Sequence, residues 1–596
     1  MKLNSKDTGK LFGCIATALC VAGLLCPVVV SDALKTGNMN PTRLEVAAIS
    51  IPASLCLLFL FSLFRNIRFR FTTTDGWFAA FTGYWFFRYF TTGNLCPTHA
   101  LLFVLLAGVY FAVRILVSTD RTSRSIVVFF LCLTGITEAV WGLAQLYGFL
   151  PSYHALYRFT GSLFNPGPYC GMLAVLLPLA LHTGVHKPST PLLHYTGTAC
   201  AVAAAILLPA GMSRSAWVAA LSGGGLVLWQ YYSLSSVIRN FYRSRKRCFL
   251  PAALICLLLL FGSGAGMYAL KKDSADGRLL MWKVSVLALR ESPWTGQGPG
   301  SFAGAYGKAQ ARYFTSETHS PQEEHVAGSP EYGFNEYLQI TTELGLIGLL
   351  LFAGMVVSAF RQAYRQCQTG IAGSLIAFAV FAFFSYPFSV LPLTLLFAVF
   401  TALCSPPAAD TCKPKIWRTA VLLLAGACLY PGLGLSEKVT HLRAWKEEKR
   451  YFDMEIYKGT AEGYRQLYPS LKEFAPFLFE YGQCLAKTRQ HPESIIILSE
   501  GARRSADPMF YNIIGRNEQA LGNCEAAEAA FLRAYRTVPH RLYPLYLLAE
   551  LYVSTGQYGK AAIIIRKALE QKPKIMSPAI EEMQHKLKKL YEQIPS

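Results

Sequence analysis

Residues 98–117, THALLFVLLAGVYFAVRILV, and 125–148, SIVVFFLCLTGITEAVWGLAQLYG, decide the fold. A helix needs about 20 apolar residues to cross the hydrocarbon core of a bilayer, and each block reaches that length. Lipid offers no partner for backbone N–H and C=O groups, so such blocks are helices. Between them lies STDRTSR, a short turn with two arginines. Membrane-length apolar block, then basic turn, is the unit from which most of the chain is built.

Working outward, further apolar blocks lie at about 11–30, 46–64, 76–93, 168–186, 193–211, 215–234, 248–270, 337–360, 371–388, 389–405 and 416–434. With the first two, these predict an all-α polytopic membrane bundle of about 13 spans. Composition agrees: only 15% of the 596 residues are charged, where a soluble protein carries about 25%. The net charge is +21, but the basic residues flank apolar blocks instead of forming a motif that reads nucleic acid, so no nucleic-acid partner is expected. Sixteen cysteines show no CxxC or His/Cys ligand spacing. Most, such as Cys20, Cys56, Cys132 and Cys256, sit within apolar blocks as small core residues, and no metal or cofactor is expected. The first block follows Lys2, Lys6 and Lys10 and is read as a membrane helix, not a removed signal.

Lysine and arginine set the orientation. With the N-terminus inside, alternate segments carry Arg65, Arg68 and Arg70; Arg114, Arg121 and Arg124; Lys187; Arg239, Arg243, Arg245, Lys246 and Arg247; Arg361 and Arg365; and Lys413, Lys415 and Arg418. The short opposite loops carry only Lys35, Arg43, Arg158 and Arg214. A long polar loop at about 271–335 then falls outside, as does everything after about Ser436. The expected domains are 1–435, a transmembrane catalytic domain containing that loop, and 440–596, an outer repeat domain.

The second domain repeats every 34 residues: Gly522 returns as Gly556, Ala527 as Ala561, Ala534 as Ala568 and Pro539 as Pro573. A looser copy runs from Phe474 to Pro508, with Gly482 and Ala502 in the small positions. Two helices with small crossing residues and a closing proline make the tetratricopeptide pattern, predicting a stacked α-solenoid that docks a protein partner.

Four polar segments share the outer side. The first is Arg158-Phe-Thr-Gly-Ser-Leu-Phe-Asn165-Pro-Gly, a turn entering the sixth span. The second is Gly211-Met-Ser-Arg214-Ser, where an arginine at the membrane surface calls for a partner or a task. The third is Asp276-Gly-Arg278-Leu-Leu-Met-Trp282, with Gly296-x-Gly298-x-Gly300 downstream. That glycine run follows no strand and is not a nucleotide fingerprint. The fourth is Glu331-Tyr-Gly-Phe334-Asn335-Glu336-Tyr337-Leu-Gln, then Glu343-x-Gly345-x-x-Gly348. On a helix Glu336, Ile340 and Glu343 share a face. Arg158, Arg214 and Arg278 on one side of the membrane suit a diphosphate, since guanidinium offers a permanent charge and a fork matched to phosphate oxygens. An acceptor hydroxyl would need a base within reach.

In this order the four segments, covering roughly residues 125–360, resemble the O-antigen ligase and polymerase superfamily; Glu138 and Gln145 of the fifth span also fit its pattern. The resemblance implies a metal-independent, inverting transfer of glycan from undecaprenyl diphosphate in the bacterial inner membrane, with tetratricopeptide repeats as a periplasmic extension. Carried onto this chain, it implies that Arg158, Arg214 and Arg278 bind the donor diphosphate and that Asn335, Tyr337 and Asn165 shape the site, with Glu336 the candidate to activate the acceptor in place of the family's histidine. One position departs: family ligases have a histidine before the closing-motif asparagine, where this chain has Phe334. The acceptor is expected to be a lipid, a glycan or a protein, so ligase, polymerase and protein O-oligosaccharyltransferase remain alternatives. A lipid-linked glycan transporter, needing polar residues such as Arg88 and Glu138 along the spans, and a non-enzymatic assembly scaffold are the readings from other classes.

Overall fold

The computed structural model describes residues 5–31, 40–64, 69–93, 96–186, 190–269, 272–316, 319–406 and 414–594. Lys2, Lys35, Arg65, Arg68, Lys187, Lys271 and Lys413, used above for orientation or boundaries, lie outside these residues. Among the described residues all regular structure is helical. Each predicted apolar block falls on a helix, and eight helices are long and apolar enough to cross a membrane. Thr369–Phe384 and Leu391–Leu403 are shorter apolar helices of 16 and 13 residues. Of the five expected spans beyond these eight, two are these short helices, where Pro387 and Pro392 break one apolar stretch; the other three fall on Thr73–Thr91, Arg214–Tyr231 and Lys246–Ala269.

Buried polar groups tie the bundle together. Arg114 and Asp75 are both fully buried and pair at 3.0 Å, and Tyr110 Oη donates to the same carboxylate at 2.7 Å. Asp75 also closes a capping box with Thr72 at the start of Thr73–Thr91. A charge taken out of water needs such full satisfaction. Arg214–Tyr231 and Thr369–Phe384 approach so closely that a Cβ on Gly223 would lie 2.4 Å from the Gly373 carbonyl, the small-residue contact by which membrane helices pack.

The region expected as a long loop is folded. It contains the helices Lys272–Leu289, Phe302–Tyr313 and Pro321–Val326, which share a small core with Leu280, Val284, Phe302 and Tyr306 buried.

Its glycine-rich turn repairs a broken helix. Glu336–Arg365 is interrupted at Gly345, whose φ of 69° and ψ of −173° are not helical. Such a break orphans backbone groups, and within a bilayer they must be satisfied by protein. The turn supplies them: Gln297 N–H and Gly298 N–H donate to the Thr342 and Glu343 carbonyls at 2.9 and 2.8 Å, while Leu346 N–H and Ile347 N–H donate to Pro293 and Trp294 at 2.9 and 3.2 Å. Tyr84 Oη covers the Leu344 carbonyl at 3.0 Å, and Arg88 Nη2 holds the Gly296 carbonyl at 2.9 Å. Backbones meet so closely that a Cβ on Gly345 would sit 2.2 Å from the Trp294 oxygen. The two glycine motifs of the sequence are therefore the two halves of one clasp.

Pro414–Asp453 is a single helix that packs along Pro41–Phe64 and runs without a break through the expected domain boundary at 435–440. Beyond it, eight helices from Tyr457–Leu471 to Pro578–Glu592 pack each on the next. Gly522 (φ +83°) and Gly556 (φ +71°) both close helices, in the left-handed conformation glycine favours. Ala527, Ala561, Ala534 and Ala568 are fully buried. Trp445 anchors the long helix to this region: its Nε1 donates to Glu480 at 2.7 Å, as does Tyr464 Oη at 2.6 Å. Glu473 caps the helix Pro97–Thr119 through Thr98 N–H at 3.0 Å and Thr98 Oγ1 at 2.6 Å.

Candidate functional site

Helix starts and ends bring the site together. Asn40 and Arg43 precede or open one helix, His99 another, Asn165 a third and Glu336 a fourth, while Tyr386 follows Phe384; all six line one cavity of about 790 Å³. Its lining also includes the aromatic side chains Phe78, Phe81, Trp85, Phe103, Phe352 and Phe397. Phe474, Pro476, Phe479 and Phe510 of the C-terminal helices close it. The lining combines polar and aromatic side chains, a composition suited to an amphiphile.

Beside this cavity stands the arginine cluster. Arg278 Nη1 donates to the Phe384 carbonyl at 3.0 Å, and the guanidinium lies 5.4 Å over the ring of Phe334. Phe334 meets Tyr386 edge-on at 4.9 Å, and Tyr332 stacks on Tyr386 at 5.0 Å. Burial and the nearby Arg214 push the Arg278 guanidinium below its usual range, partly offset by Tyr386. It stays charged, as guanidinium does in proteins. Arg278, Glu331 and Tyr157 lie within electrostatic reach of the Tyr386 hydroxyl. The structure thus brings Arg214 and Arg278 within electrostatic reach of each other. Arg158 is exposed, one residue from Tyr157.

Two positions here strain the backbone. Met212 and Phe334, both with φ of +46°, are non-glycine residues in the left-handed region, a conformation that costs about 1–3 kcal/mol and gathers at functional sites. Met212 positions Ser213-Arg214 at the start of Arg214–Tyr231. Phe334 turns the chain into Asn335.

The closing-motif residues divide between two cavities. Glu336 is buried, accepts from Phe388 N–H at 2.7 Å, and shares the first cavity with Ile340 and Glu343. Glu343 lies near the Gly300 and Phe302 backbone and Gln339, and its carbonyl accepts from Gly298 N–H, so it belongs to the clasp. Asn335 caps the helix through Leu338 N–H at 3.1 Å, and Asn165 caps Pro166–Val185 through Gly167 N–H at 2.8 Å. Asn335 and Tyr337 line a second, larger cavity of about 1100 Å³ with Trp282 and Arg290, and Tyr337 Oη donates to the Ala379 carbonyl at 2.9 Å.

Glu138 and Gln145 hold the arginine-led loop in place. Ser162 N–H donates to Glu138 at 3.0 Å, and Thr160 and Gly161 N–H both donate to Gln145 Oε1 at 2.8 Å. Arg88 likewise serves Gly296. The two polar residues considered for a transport pathway are thus bound to loop backbone.

Sequence reasoning missed Arg43 and Tyr386. Arg43 is 3% exposed and reaches Ser162 O at 3.3 Å. In the sequence it reads only as an orientation charge. Tyr386 stands outside every motif, in the break between two apolar stretches, and only the fold carries it to Arg278. Glu331 opens the closing motif and lines the first cavity near Tyr386, but nothing in sequence separates it from Glu336.

Among curated proteins none matches this chain. Over residues 199–353, which hold Arg214, Arg278, the clasp and the closing motif, the chain matches the family model of the O-antigen ligases.

Proposed function

We propose that this chain is a glycosyltransferase of the bacterial inner membrane, taking glycan from undecaprenyl diphosphate and placing it on an acceptor hydroxyl at the periplasmic face. The observation that carries the reading is that Arg214 lies within electrostatic reach of Arg278 beside a cavity with polar and aromatic lining, within the stretch matched by the O-antigen ligase family. Arg214 and Arg278 hold the two phosphates, and Arg158 joins them from the exposed loop when the donor is bound. The polyprenyl tail enters among the aromatic side chains. In the reaction the bond between the sugar C1 and the diphosphate oxygen breaks, the acceptor oxygen bonds to C1 from the opposite face, and the acceptor proton passes to a carboxylate. The guanidinium groups stabilise the charge on the leaving diphosphate.

Glu336 is the proposed base, because it is buried and lines the cavity; Asn165 lines the same cavity, and Asn335 and Tyr337 shape the neighbouring one. Glu331 is the second candidate, favoured by its electrostatic contact with Tyr386, which itself faces Arg278. The reaction needs no metal in this scheme. Residues 1–435 form the catalytic membrane part and 440–596 a periplasmic tetratricopeptide solenoid, whose repeated glycine and alanine positions support that reading. The solenoid recruits a protein, either an assembly partner or the acceptor itself.

Purified protein, a lipid diphosphate-linked glycan and candidate acceptors test this directly. Transfer is expected in the wild type and is lost in Arg214→Ala. Glu336→Gln and Glu331→Gln identify the base, since only one should abolish transfer while donor binding persists. In cells, loss of glycan chain length on deletion indicates a polymerase, and loss of attachment indicates a ligase or protein glycosyltransferase. Transport of the lipid-linked glycan without any acceptor would refute the proposal.

A further inference from the structure

The second cavity lies beside the helix Lys272–Leu289. Arg278, Trp282, Val286 and Arg290 recur every four residues there and so lie along one face of the helix and its end. The last three line the 1100 Å³ cavity, opposite Tyr337 and Phe383. Arg278, one turn before Trp282, belongs to the proposed diphosphate site. At 1.5 Å per residue the stripe runs about 18 Å from Arg278 to Arg290.

Its chemistry is specific. Trp282 packs edge-on to Phe383 at 5.2 Å, and its indole N–H is buried without a hydrogen-bond partner among the described residues. A buried indole N–H ordinarily finds an acceptor. The cations differ in their engagement. Lys283 is bound to Glu323 at 2.7 Å, and Arg312 pairs with Glu291. Arg290 is exposed and has no ion pair among the described residues. The groove therefore offers aromatic faces and, at its far end, one guanidinium with no ion pair among the described residues.

We propose that this groove binds an acidic saccharide, its sugar rings against Trp282 and its carboxylate or phosphate group on Arg290. The inference rests on the reading of Arg278 as a diphosphate ligand, because that places the reducing end of a donor glycan at the head of the stripe. The shared chemistry is a negatively charged sugar, carried by the donor chain or by the acceptor.

The test uses full-length protein in nanodiscs, with tetragalacturonic acid and its neutral carboxyl-reduced counterpart as probes in titration calorimetry. The wild type should bind the acidic probe at least about tenfold more tightly, a difference of one exposed charge pair with hydrogen bonds. Arg290→Gln, a change at an exposed side chain, should erase that preference, and Trp282→Leu should weaken both probes. Equal affinity of the wild type for both probes, or a preference that survives Arg290→Gln, overturns the inference. Binding of undecaprenyl diphosphate to Arg278→Ala is measured in parallel. If diphosphate binding ignores Arg278 while the saccharide preference depends on Arg290, the functional reading falls and the groove stands. The reverse pattern removes the groove alone. Transfer kinetics then locate the sugar: Arg290→Gln slows only acidic donors if the chain is the donor's, and only acidic acceptors if it is the acceptor's.

Discussion

The guanidinium of Arg278 lies 5.4 Å over the ring of Phe334, the residue found where the resemblance leads one to expect histidine. The ring shields one face of the cation and is itself held by Tyr386. Phe334 sits at φ +46°, where histidine is better tolerated than a bulky aromatic residue. Phe334→His should therefore fold at least as well as the wild type. An imidazole placed there faces Arg278 from Lys272–Leu289, Tyr386 after Phe384 and Glu331 from its own segment. The cation beside it favours neutral imidazole, so a new titration is expected below the ordinary histidine range, visible in the pH profile of transfer. A profile identical to wild type would mean that this position does not face the reacting groups.

The clasp between Gly296 and Gly345 gives a second expectation. Gly345→Ala puts a Cβ 2.2 Å from the Trp294 oxygen at a φ of +69°, so strain of about 1–3 kcal/mol adds to a backbone clash. Folding yield and melting temperature in detergent should both fall. Arg88→Ala should cost about 1–3 kcal/mol by leaving the Gly296 carbonyl without its donor. If melting is unchanged in both, the clasp does not hold the broken helix.

Much of this fold could be read from the chain, and the limits have physical causes. Apolar blocks mark helices because hydrocarbon leaves backbone no alternative, and the 34-residue spacing of Gly522 and Gly556 marks turns because both adopt positive φ. The polarity of 271–335 concealed three helices, since their buried faces, such as Leu280, Val284 and Tyr306, are small satellite contacts within a charged stretch. Pairing the Gly296–Gly300 run with Glu343 and Gly345 was out of reach because it joins segments some 45 residues apart through backbone bonds, which carry no side-chain signature. For the site, Arg214 and Arg278 were legible as charges without membrane neighbours. Tyr386 and Arg43 were not, since both enter the site through the packing of distant helix ends.

Acid should loosen the extramembrane segment. Burial alone would raise the Glu323 carboxyl, but Lys283, the Ser320 N–H and Tyr313 together outweigh it and pull it down to about 2 from an ordinary 4.5. A depressed carboxyl stabilises the fold fully above its unfolded value, and that contribution disappears as pH falls from about 4.5 to about 2. Hydrogen exchange of Pro321–Val326, corrected for intrinsic rates, should speed up across this window. In Glu323→Gln it should already be fast at pH 6 and change little on acidification.

The anchor at Glu480 predicts a local effect. Glu480→Ala strands the Trp445 indole N–H and the Tyr464 hydroxyl in a buried setting, at about 1–3 kcal/mol for each unsatisfied donor. Limited proteolysis should then cut between 440 and 500 while the membrane bundle persists. Wild-type resistance in that region would show that packing alone holds the C-terminal helices.

The central claim is that Arg214 and Arg278 jointly hold a lipid diphosphate. Equilibrium binding of undecaprenyl diphosphate to the reconstituted protein, compared with Arg214→Ala, Arg278→Ala and the double variant, tests it most directly. The account predicts that each single change weakens binding at least about tenfold, the loss of one charge-assisted phosphate contact, and that the double variant loses less than the sum because the two act on one ligand. Wild-type affinity in both single variants, with the fold intact, would contradict it.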